Sequence, residues 1–313
     1  MVKSNTTRGV RMKKSKGLYI RVCISIMFGW VALPGWGQDQ MPLSARPDVR
    51  IKGIRELKEY KLTPDTVGVH ILFPEAFQHT KPNQIIDRTN VLKPVMEQLY
   101  RLRTGASEDT LRIVHIGDSH VRGRIYPRTV GVKLSEVFGA VSYTDMGVNG
   151  ATCLTFTHPD RIAAIAELKP GLLILSFGTN ESHNKRYNST VHYHQMDELV
   201  KLLRSRMPGV PILLTTPPGS YESFRQSRRR RTYSINQRTV IAVNTIRKYA
   251  EDQKLAVWDM YNVVGGKDYA CRNWWDAGLM RPDHVHYIAE GYVLQGEILF
   301  EGLINAYNKY VSD

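Results

Sequence analysis

The chain has 313 residues, of which 42% are hydrophobic and 23% are charged. This is enough apolar material for one sizeable core with an appended segment, and it argues against two full domains. The formal net charge is +14, but seven basic residues precede Val22 with no acid among them, so 14 minus 7, or +7, remains for the rest. The seven are Lys3, Arg8, Arg11, Lys13, Lys14, Lys16 and Arg21.

Residues 1–37 are predicted to be a secretory signal peptide. The basic start is followed by the apolar stretch 22–33 and by the small-residue segment 35–37, which places the cleavage near Gly37. An uncleaved membrane anchor is the alternative, although 22–33 is short for a membrane span. We expect an exported protein of the periplasm or cell envelope, without a stable membrane span after cleavage.

Residues 38–107 are predicted to be an N-terminal extension. It contains one strand-like run at 68–73 and a helical spacing of apolar residues over 85–103, where Pro94 delays the start of the helix. We expect this helix to pack on the core. The first part of the extension is marked by five prolines: Pro42, Pro47, Pro64, Pro74 and Pro82.

Residues 108–313 are predicted to form one α/β domain, because apolar runs of buried-strand type alternate with helical segments. The predicted strands are 111–116, 141–146, 172–177, 212–215 and 255–258. The predicted helices lie near 128–138, 159–168, 193–207 and 236–252, with a last one from about Tyr287. This alternation favours a mainly parallel five-stranded sheet that is covered by helices on both faces.

A serine follows the first of these strands. Ser119 lies in the tetrad 117–120 directly after 111–116, where a glycine lets the chain turn sharply at the carboxyl edge of the sheet. A serine hydroxyl needs an imidazole to accept its proton, and the imidazole needs a carboxylate to fix its tautomer. Asp283 and His286 are three residues apart and can meet on one face of a helical turn. The sequence therefore predicts a catalytic triad.

Two further loops at the same edge offer hydrogen-bond donors. The strand 141–146 runs into a loop that ends with Gly150, and the strand 172–177 precedes Asn180. The Gly150 backbone amide and the Asn180 side-chain amide, together with the Ser119 backbone amide, are predicted to bind the oxygen that becomes negative during acyl transfer.

These four segments resemble the signature blocks of the SGNH or GDSL-type hydrolases. The blocks are G-D-S at 117–119, a glycine block at 147–150, G-x-N at 178–180 and D-x-x-H at 283–286, and the resemblance covers roughly residue 109 to the C-terminus. It implies a flavodoxin-like three-layer αβα domain. Two positions depart from the family pattern, since many members have leucine at position 120 and aspartate at position 181.

The resemblance also implies roles for individual residues. Ser119 would be the nucleophile, His286 the base and Asp283 its partner, while Ser119, Gly150 and Asn180 would form the oxyanion hole. Four neighbours of these residues are expected to contact the substrate: Asp118, His120, Asn149 and Glu181. His115, on an apolar strand, is expected to be a core histidine that makes one backbone hydrogen bond.

Arg228 and Arg229 begin the run 228–231, which follows the turn at 217–219. One interpretation is a solvated loop. The other is that the guanidinium groups bind carboxylates or phosphates of an anionic glycan polymer. Nucleic acid is not expected, because no aromatic residues are interleaved with the basic ones.

No cofactor or metal is expected. The histidine pairs at 192–194 and 284–286 have no obvious third ligand, and there is no H-E-x-x-H or paired C-x-x-C motif. The loop 147–152 lacks the pattern that cradles nucleotide phosphates. Cys153 and Cys271 could form a disulfide in an oxidising compartment or stay free.

The variants G-D-S-H and G-T-N-E resemble those of exported bacterial peptidoglycan or polysaccharide O-acetylesterases. The resemblance implies a serine esterase that removes O-acetyl groups from an acylated glycan polymer. The alternatives are a polysaccharide O-acetyltransferase on the same scaffold, a lipase or thioesterase, and a non-catalytic glycan-binding relative.

Overall fold

The computed structural model describes residues 65–227 and 230–313. The predicted signal peptide, residues 38–64 of the extension, Arg228 and Arg229 lie outside the described residues. Within the described part, no helix combines the length and the apolar character that crossing a membrane requires.

The strands in the described ranges are β1 (Ile85–Ile86), β2 (Leu111–Gly117), β3 (Val141–Gly147), β4 (Leu172–Ser176), β5 (Ile212–Thr215), β6 (Tyr221–Arg225), β7 (Arg231–Ile235) and β8 (Ala256–Trp258). Six of them form the central sheet, in the order β1-β8-β5-β4-β2-β3. Every neighbouring pair in this sheet is parallel except β1 and β8. The other two strands, β6 and β7, form a separate antiparallel hairpin.

The five parallel strands have the flavodoxin-like order 2-1-3-4-5 when they are numbered along the chain. In such a sheet the strand order reverses beside the first parallel strand, which here is β2 with β3 and β4 on its two sides. The loops that follow β2, β3 and β4 therefore leave the same edge next to one another. These are the three loops that carry Ser119, Gly150 and Asn180.

Helices cover both faces of the sheet. The helices are α1 (Lys93–Arg103), α2 (Ser119–Arg122), α3 (Ile125–Phe138), α4 (Pro159–Glu167), α5 (Thr179–His183), α6 (Ser189–Arg206), α7 (Gln237–Asp252), α8 (Met260–Val263), α9 (Ala270–Asp276) and α10 (Ala289–Ser312). One apolar cluster joins α1, α3 and α10 to side chains such as Ile113, and the other joins α4, α6 and α7 to side chains such as Val114. Because neighbouring residues of a strand point to opposite faces, consecutive apolar residues on one strand contribute to both clusters.

The three-layer α/β prediction is confirmed, but the number of strands differs. The helix predicted over 85–103 begins at Lys93, and Ile85–Ile86 instead forms a short antiparallel edge strand on β8. The Asp87 carboxylate accepts hydrogen bonds from the backbone amides of Val91 and Leu92, and Pro94 occupies the first turn of the helix. These local contacts fix where the helix starts.

The strand-like run 68–73 is irregular in the structure. The backbone of this segment bonds to side chains of α10 instead of to another strand. Asn308 exchanges two 2.8 Å hydrogen bonds with the backbone of Val67, and the Glu301 carboxylate accepts from the Ile71 amide at 2.9 Å. This part of the extension is therefore fastened to the last helix.

Glycines allow the nucleophile segment and the loop after β3 to approach each other closely. A Cβ on Gly147 would lie 2.1 Å from the backbone nitrogen of Arg122 in α2. One residue further on, the Val148 amide donates to the Gly117 carbonyl at 3.0 Å. Only a residue without a side chain fits at position 147, because the opposing atoms are backbone and cannot rotate away.

We expect Gly147→Ala to lower the free energy of unfolding by at least about 2 kcal/mol, since the added methyl group would force two backbone segments apart. Chemical denaturation measures this change. Gly68→Ala is the matched control, because nothing lies within 4 Å of a Cβ built there. Equal unfolding midpoints for the two variants would contradict the proposed constraint.

Candidate active site

Ser119 is the first residue of α2 and is half-buried at the carboxyl end of β2. The strand ends at Gly117, and Asp118 caps the short helix by accepting a 2.9 Å hydrogen bond from the His120 amide. A Cβ on Gly117 would lie 2.7 Å from the Ser176 carbonyl oxygen. The glycine and the cap together turn the chain so that Ser119 stands at the edge of the sheet.

The structure brings the three residues of the predicted triad together. The Ser119 Oγ and His286 Nε2 atoms are 2.9 Å apart, and 2.9 Å also separates His286 Nδ1 from Asp283 Oδ2. The segment 283–286 is a turn and not the predicted helical turn. Asp283 itself closes the turn, because its Oδ1 accepts from the backbone amides of Val285 and His286 at 2.9 and 2.8 Å.

These hydrogen bonds keep the Asp283 carboxyl ionised. Partial burial acts to raise its pKa, but the bonds from the His286 and Val285 amides and from the His286 ring outweigh that effect, so the pKa is lowered from its ordinary value. A carboxylate in this state can orient the imidazole and stabilise a positive charge on it.

The loops after β3 and β4 leave the same edge of the sheet as the segment that carries Ser119. Asn149 and Gly150 are exposed, and Gly150 has a left-handed backbone with φ +72° and open space at the Cβ position. Asn180 is half-buried, and its side-chain amide donates to the Ala151 carbonyl at 2.8 Å. An amide nitrogen has two hydrogens, so this bond leaves a second one for a ligand.

Glu181 does not reach the substrate side, contrary to the prediction that it contacts the substrate. Its side chain is buried, with Oε1 accepting from the Cys153 amide at 3.0 Å and Oε2 from the Gly178 amide at 2.9 Å. The carboxylate therefore clamps the loop after β3 to the loop after β4. Gly178 and Cys153 flank the two predicted oxyanion donors along the chain, so the clamp positions both loops.

One group of possible metal ligands lies within the described part of the chain. Ligand atoms of Cys153, Glu181 and His192, all buried, lie within 4.8 Å of one another. Burial, and next the Glu181 charge, raises the pKa of the Cys153 thiol well above its ordinary value. Both Glu181 oxygens already accept hydrogen bonds from backbone amides, so this carboxylate joins the two loops. Cys153 and Cys271 are both free and buried, so they form no disulfide.

Asp118 and His120 lie behind Ser119 and are buried, so their expected contact with substrate is not supported by their positions. The His120 Nδ1 atom is 3.2 Å from the Tyr292 hydroxyl. Burial, and secondarily His286, lowers the pKa of His120 to about 3. Burial, and secondarily Glu181, raises the pKa of Asp118 to about 7. Asp118 caps the helix that begins with Ser119, and His120 packs that helix against α10 through Tyr292.

His115 is buried in β2, as predicted, but its partners are hydroxyl groups and not a backbone atom. Its Nε2 lies 2.6 Å from Ser176 Oγ and its Nδ1 lies 2.8 Å from the Tyr143 hydroxyl. Burial lowers the pKa of this ring to about 3, which keeps it neutral.

Arg231, the last residue of the arginine run, begins β7, whereas Arg228 and Arg229 lie outside the described residues. In the same strand, Tyr233 stacks on His284 beside the triad. The other face of the His284 ring lies against Trp275 of α9. Tyr233 and Trp275 were not among the predicted site residues, because the three rings come from distant segments of the chain. The alternation in 231–235 was the available signal for the hairpin.

The sequence profile of the GDSL-like lipase/acylhydrolase family matches residues 115–294, which is more than half of the chain. The chain belongs to this family. The predictions of an SGNH hydrolase and of a carboxylic ester hydrolase are therefore confirmed at family level. No curated protein matches the chain.

Several solved structures are similar to this chain. A peptidoglycan O-acetylesterase shares its fold, with a TM-score of 0.64 at 17% identity, and the match covers 72% of this chain and 99% of that enzyme. A catalytic mutant of an acetylxylan esterase from Geobacillus stearothermophilus has a TM-score of 0.46 at 15% identity, covering 63% of this chain and 96% of its own. A carbohydrate acetylesterase from Sinorhizobium meliloti has a TM-score of 0.46 at 13% identity, with coverages of 63% and 100%.

We expect Glu181→Gln to lower the free energy of unfolding by about 2–3 kcal/mol, because one of the two buried amides then faces an NH₂ group and loses its acceptor. Glu198→Gln, an exposed change on α6, is the control and should stay within about 0.5 kcal/mol of the wild type. Thermal and urea unfolding measure both. A loss no greater than that of the control would contradict the clamp.

The raised pKa of Asp118 predicts a pH dependence of stability. Burial raises the pKa of the folded carboxyl to about 7, whereas its ordinary pKa of 3.8 applies in the unfolded chain. The folded state thus binds more protons between these values, so its stability falls as the pH rises through this window. Asp118→Asn keeps a capping oxygen and cannot ionise.

The variant should therefore gain stability over the wild type from pH 4 to pH 7, by up to about 4 kcal/mol. Urea unfolding at several pH values measures the difference between the two proteins. Parallel curves for the two proteins would show that Asp118 does not titrate as expected.

Proposed function

We propose that this GDSL-family protein removes O-acetyl or other short acyl groups from peptidoglycan or another polysaccharide through an acyl-enzyme intermediate. The observation that carries the proposal is the unbroken chain of contacts from Ser119 Oγ through the His286 ring to the Asp283 carboxylate, with 2.9 Å at each step. This geometry meets the requirement for a serine nucleophile at neutral pH.

In the first half-reaction, His286 Nε2 takes the proton of the Ser119 hydroxyl as Oγ attacks the carbonyl carbon of the ester. The carbonyl oxygen becomes negative in the tetrahedral intermediate. When the intermediate collapses, the carbon–oxygen bond to the glycan breaks, and His286 gives its proton to the departing sugar oxygen. The acyl group then remains on Ser119.

In the second half-reaction, His286 takes a proton from water, whose oxygen attacks the acyl carbon. Collapse of the second intermediate returns the proton to Ser119 Oγ and releases the carboxylic acid. Asp283 holds the ring in the required tautomer throughout and stabilises the imidazolium.

The proposed oxyanion hole consists of the Ser119 and Gly150 backbone amides and the Asn180 side-chain amide. All three come from loops at the same edge of the sheet, and a donor of this kind contributes about 3 kcal/mol to lowering the barrier. The Glu181 clamp supports this arrangement, since it ties the Gly150 and Asn180 loops together.

The accessibility of the triad supports a polymeric substrate. The side chains of His286 and Asp283 are 33% and 49% exposed, so a group attached to a long chain can reach them from solvent. The fold shared with a peptidoglycan O-acetylesterase is consistent with this proposal. Asn149, which is exposed beside Gly150, and the arginines 228 and 229 are proposed substrate contacts.

We propose that the protein is exported to the periplasm or cell envelope, where such polymers lie. The support is the sequence of residues 1–37, with its basic start, apolar stretch and cleavage near Gly37. N-terminal sequencing of the protein recovered from the envelope tests this proposal.

Acetate release from O-acetylated peptidoglycan, measured beside hydrolysis of p-nitrophenyl acetate, tests the reaction. We expect Ser119→Ala and His286→Ala each to lower kcat by at least about 10³-fold on both substrates while unfolding like the wild type. Ser205→Ala and His194→Ala, on the exposed side of α6, are the matched controls.

The outcomes separate the alternatives. Activity in Ser119→Ala equal to the wild type would contradict the triad. Cleavage of the small ester without acetate release from peptidoglycan would direct the search to other acylated glycans, or to transfer onto a glycan hydroxyl. No turnover of either substrate by the wild type would favour a non-catalytic glycan-binding protein.

A further inference from the structure

The β6–β7 hairpin is bonded to the segment 283–286, which carries Asp283 and His286 and is called here the triad loop. The Tyr221 amide donates to the His284 carbonyl at 3.0 Å, and His284 directly follows Asp283. The His284 ring stacks between Tyr233, at a centroid distance of 3.7 Å, and Trp275, at 4.0 Å. His284 has a left-handed backbone with φ +60°. The hairpin and the triad loop are therefore held together by backbone and ring contacts.

The register of the hairpin decides which side chains lie on the same face as Tyr233. Tyr233 pairs with Ser223, and Arg231 pairs with Arg225. Side chains two residues apart on a strand share a face, so both arginines lie on the Tyr233 face, about 7 Å further from the triad loop. The 3.1 Å bond from Arg231 to the Ser223 hydroxyl agrees with this arrangement. Phe224 lies on the opposite face.

The surface formed by Trp275, His284, Tyr233, Arg225 and Arg231 is called here the aromatic–arginine strip. Trp275 is 42% exposed and Tyr233 37% exposed, and both arginines are exposed as well. Among the residues that the structure describes, no carboxylate forms an ion pair with Arg225 or Arg231. The strip thus combines exposed rings with guanidinium groups that have no anionic partner there.

This combination matches one class of ligand. Aromatic rings pack against the apolar faces of sugar rings, and their polar edges tolerate the surrounding water. A guanidinium group binds a carboxylate with two parallel hydrogen bonds. A ligand that uses both features is a glycan whose sugars carry carboxylates.

We propose that the aromatic–arginine strip is a binding subsite for a carboxylate-bearing acylated glycan. A sugar ring packs against Tyr233 and Trp275, carboxylates of neighbouring units bind Arg225 and Arg231, and the polymer then passes the triad loop so that an ester can reach Ser119. This inference rests on the proposed esterase function and names the charge class of its substrate.

Binding is measured by calorimetry in the Ser119→Ala background, with O-acetylated polygalacturonate as the anionic polymer and acetylated xylan as the neutral one. We expect the double change Arg225→Gln and Arg231→Gln to raise the Kd for the polygalacturonate at least about tenfold and to change the Kd for xylan by less than about twofold. Tyr233→Ala should raise the Kd for both polymers about fivefold, because the contact between the aromatic ring and a sugar does not depend on charge.

Two controls match these variants. Phe224→Ala removes an exposed ring, 49% accessible, from the other face of the same hairpin, and Arg101→Gln removes an exposed guanidinium from α1. Both should leave the Kd values within about twofold of the parent. Circular dichroism checks that each variant folds. Raising the salt concentration from about 0.05 to 0.5 M should weaken the binding of the polygalacturonate and leave the binding of the xylan unchanged.

The proposal is overturned if the parent does not bind the anionic polymer, or if the arginine changes leave the Kd for that polymer within about twofold of the parent value. It is also overturned if Phe224→Ala raises the Kd as much as Tyr233→Ala does. Because binding is measured without the nucleophile, the result does not depend on turnover. A wild type that binds the polymer through the strip but cleaves no ester would contradict the esterase proposal alone. A wild type that cleaves esters without binding through the strip would contradict this inference alone.

Discussion

The site depends on one steric constraint, which is the approach of two backbone segments at the carboxyl edge of the sheet. Gly147 lies so close to α2 that any side chain there would meet the Arg122 backbone. This contact sets where the loop after β3 leaves the sheet relative to Ser119. The buried Glu181 carboxylate then ties that loop to the one after β4 through two backbone amides. The proposed oxyanion donors are thus positioned by main-chain packing and a single buried charge.

The charge-bearing part of the site is organised differently, by a short turn that needs no regular secondary structure. Asp283 accepts bonds from the Val285 and His286 amides and from the His286 ring, so one side chain shapes the turn, stays ionised and orients the base. The turn also presents His284 outward, between Tyr233 and Trp275. The proposed reaction chemistry and a surface suited to a polymer are therefore coupled through the four consecutive residues 283–286.

Much of the fold followed from pattern. The apolar runs predicted at 111–116 and 172–177 form the mostly buried strands β2 and β4, and their alternation with helices is sufficient for a parallel three-layer architecture. The prediction from apolar spacing was wrong where contacts with distant parts of the chain set the local structure. Residues 68–73 have strand composition but bond to side chains of α10, and Ile85–Ile86 fits a helical period yet pairs with β8. Neither outcome is encoded within the segment itself, since the partner lies far along the chain.

The sequence by itself determined the family, because four short motifs of fixed chemistry occur in order. The same motifs predicted Ser119, His286 and Asp283 as the triad, together with the loops that surround it. Only the tertiary structure decided what the neighbouring polar residues do. Glu181, Asp118 and His120 stand beside the proposed catalytic positions in the chain, yet they are buried. Glu181 and Asp118 accept hydrogen bonds from backbone amides, and His120 lies against the Tyr292 hydroxyl. The stacking of Tyr233, His284 and Trp275 was likewise decided by folding, because it joins a hairpin, a turn and a helix that no local pattern connects.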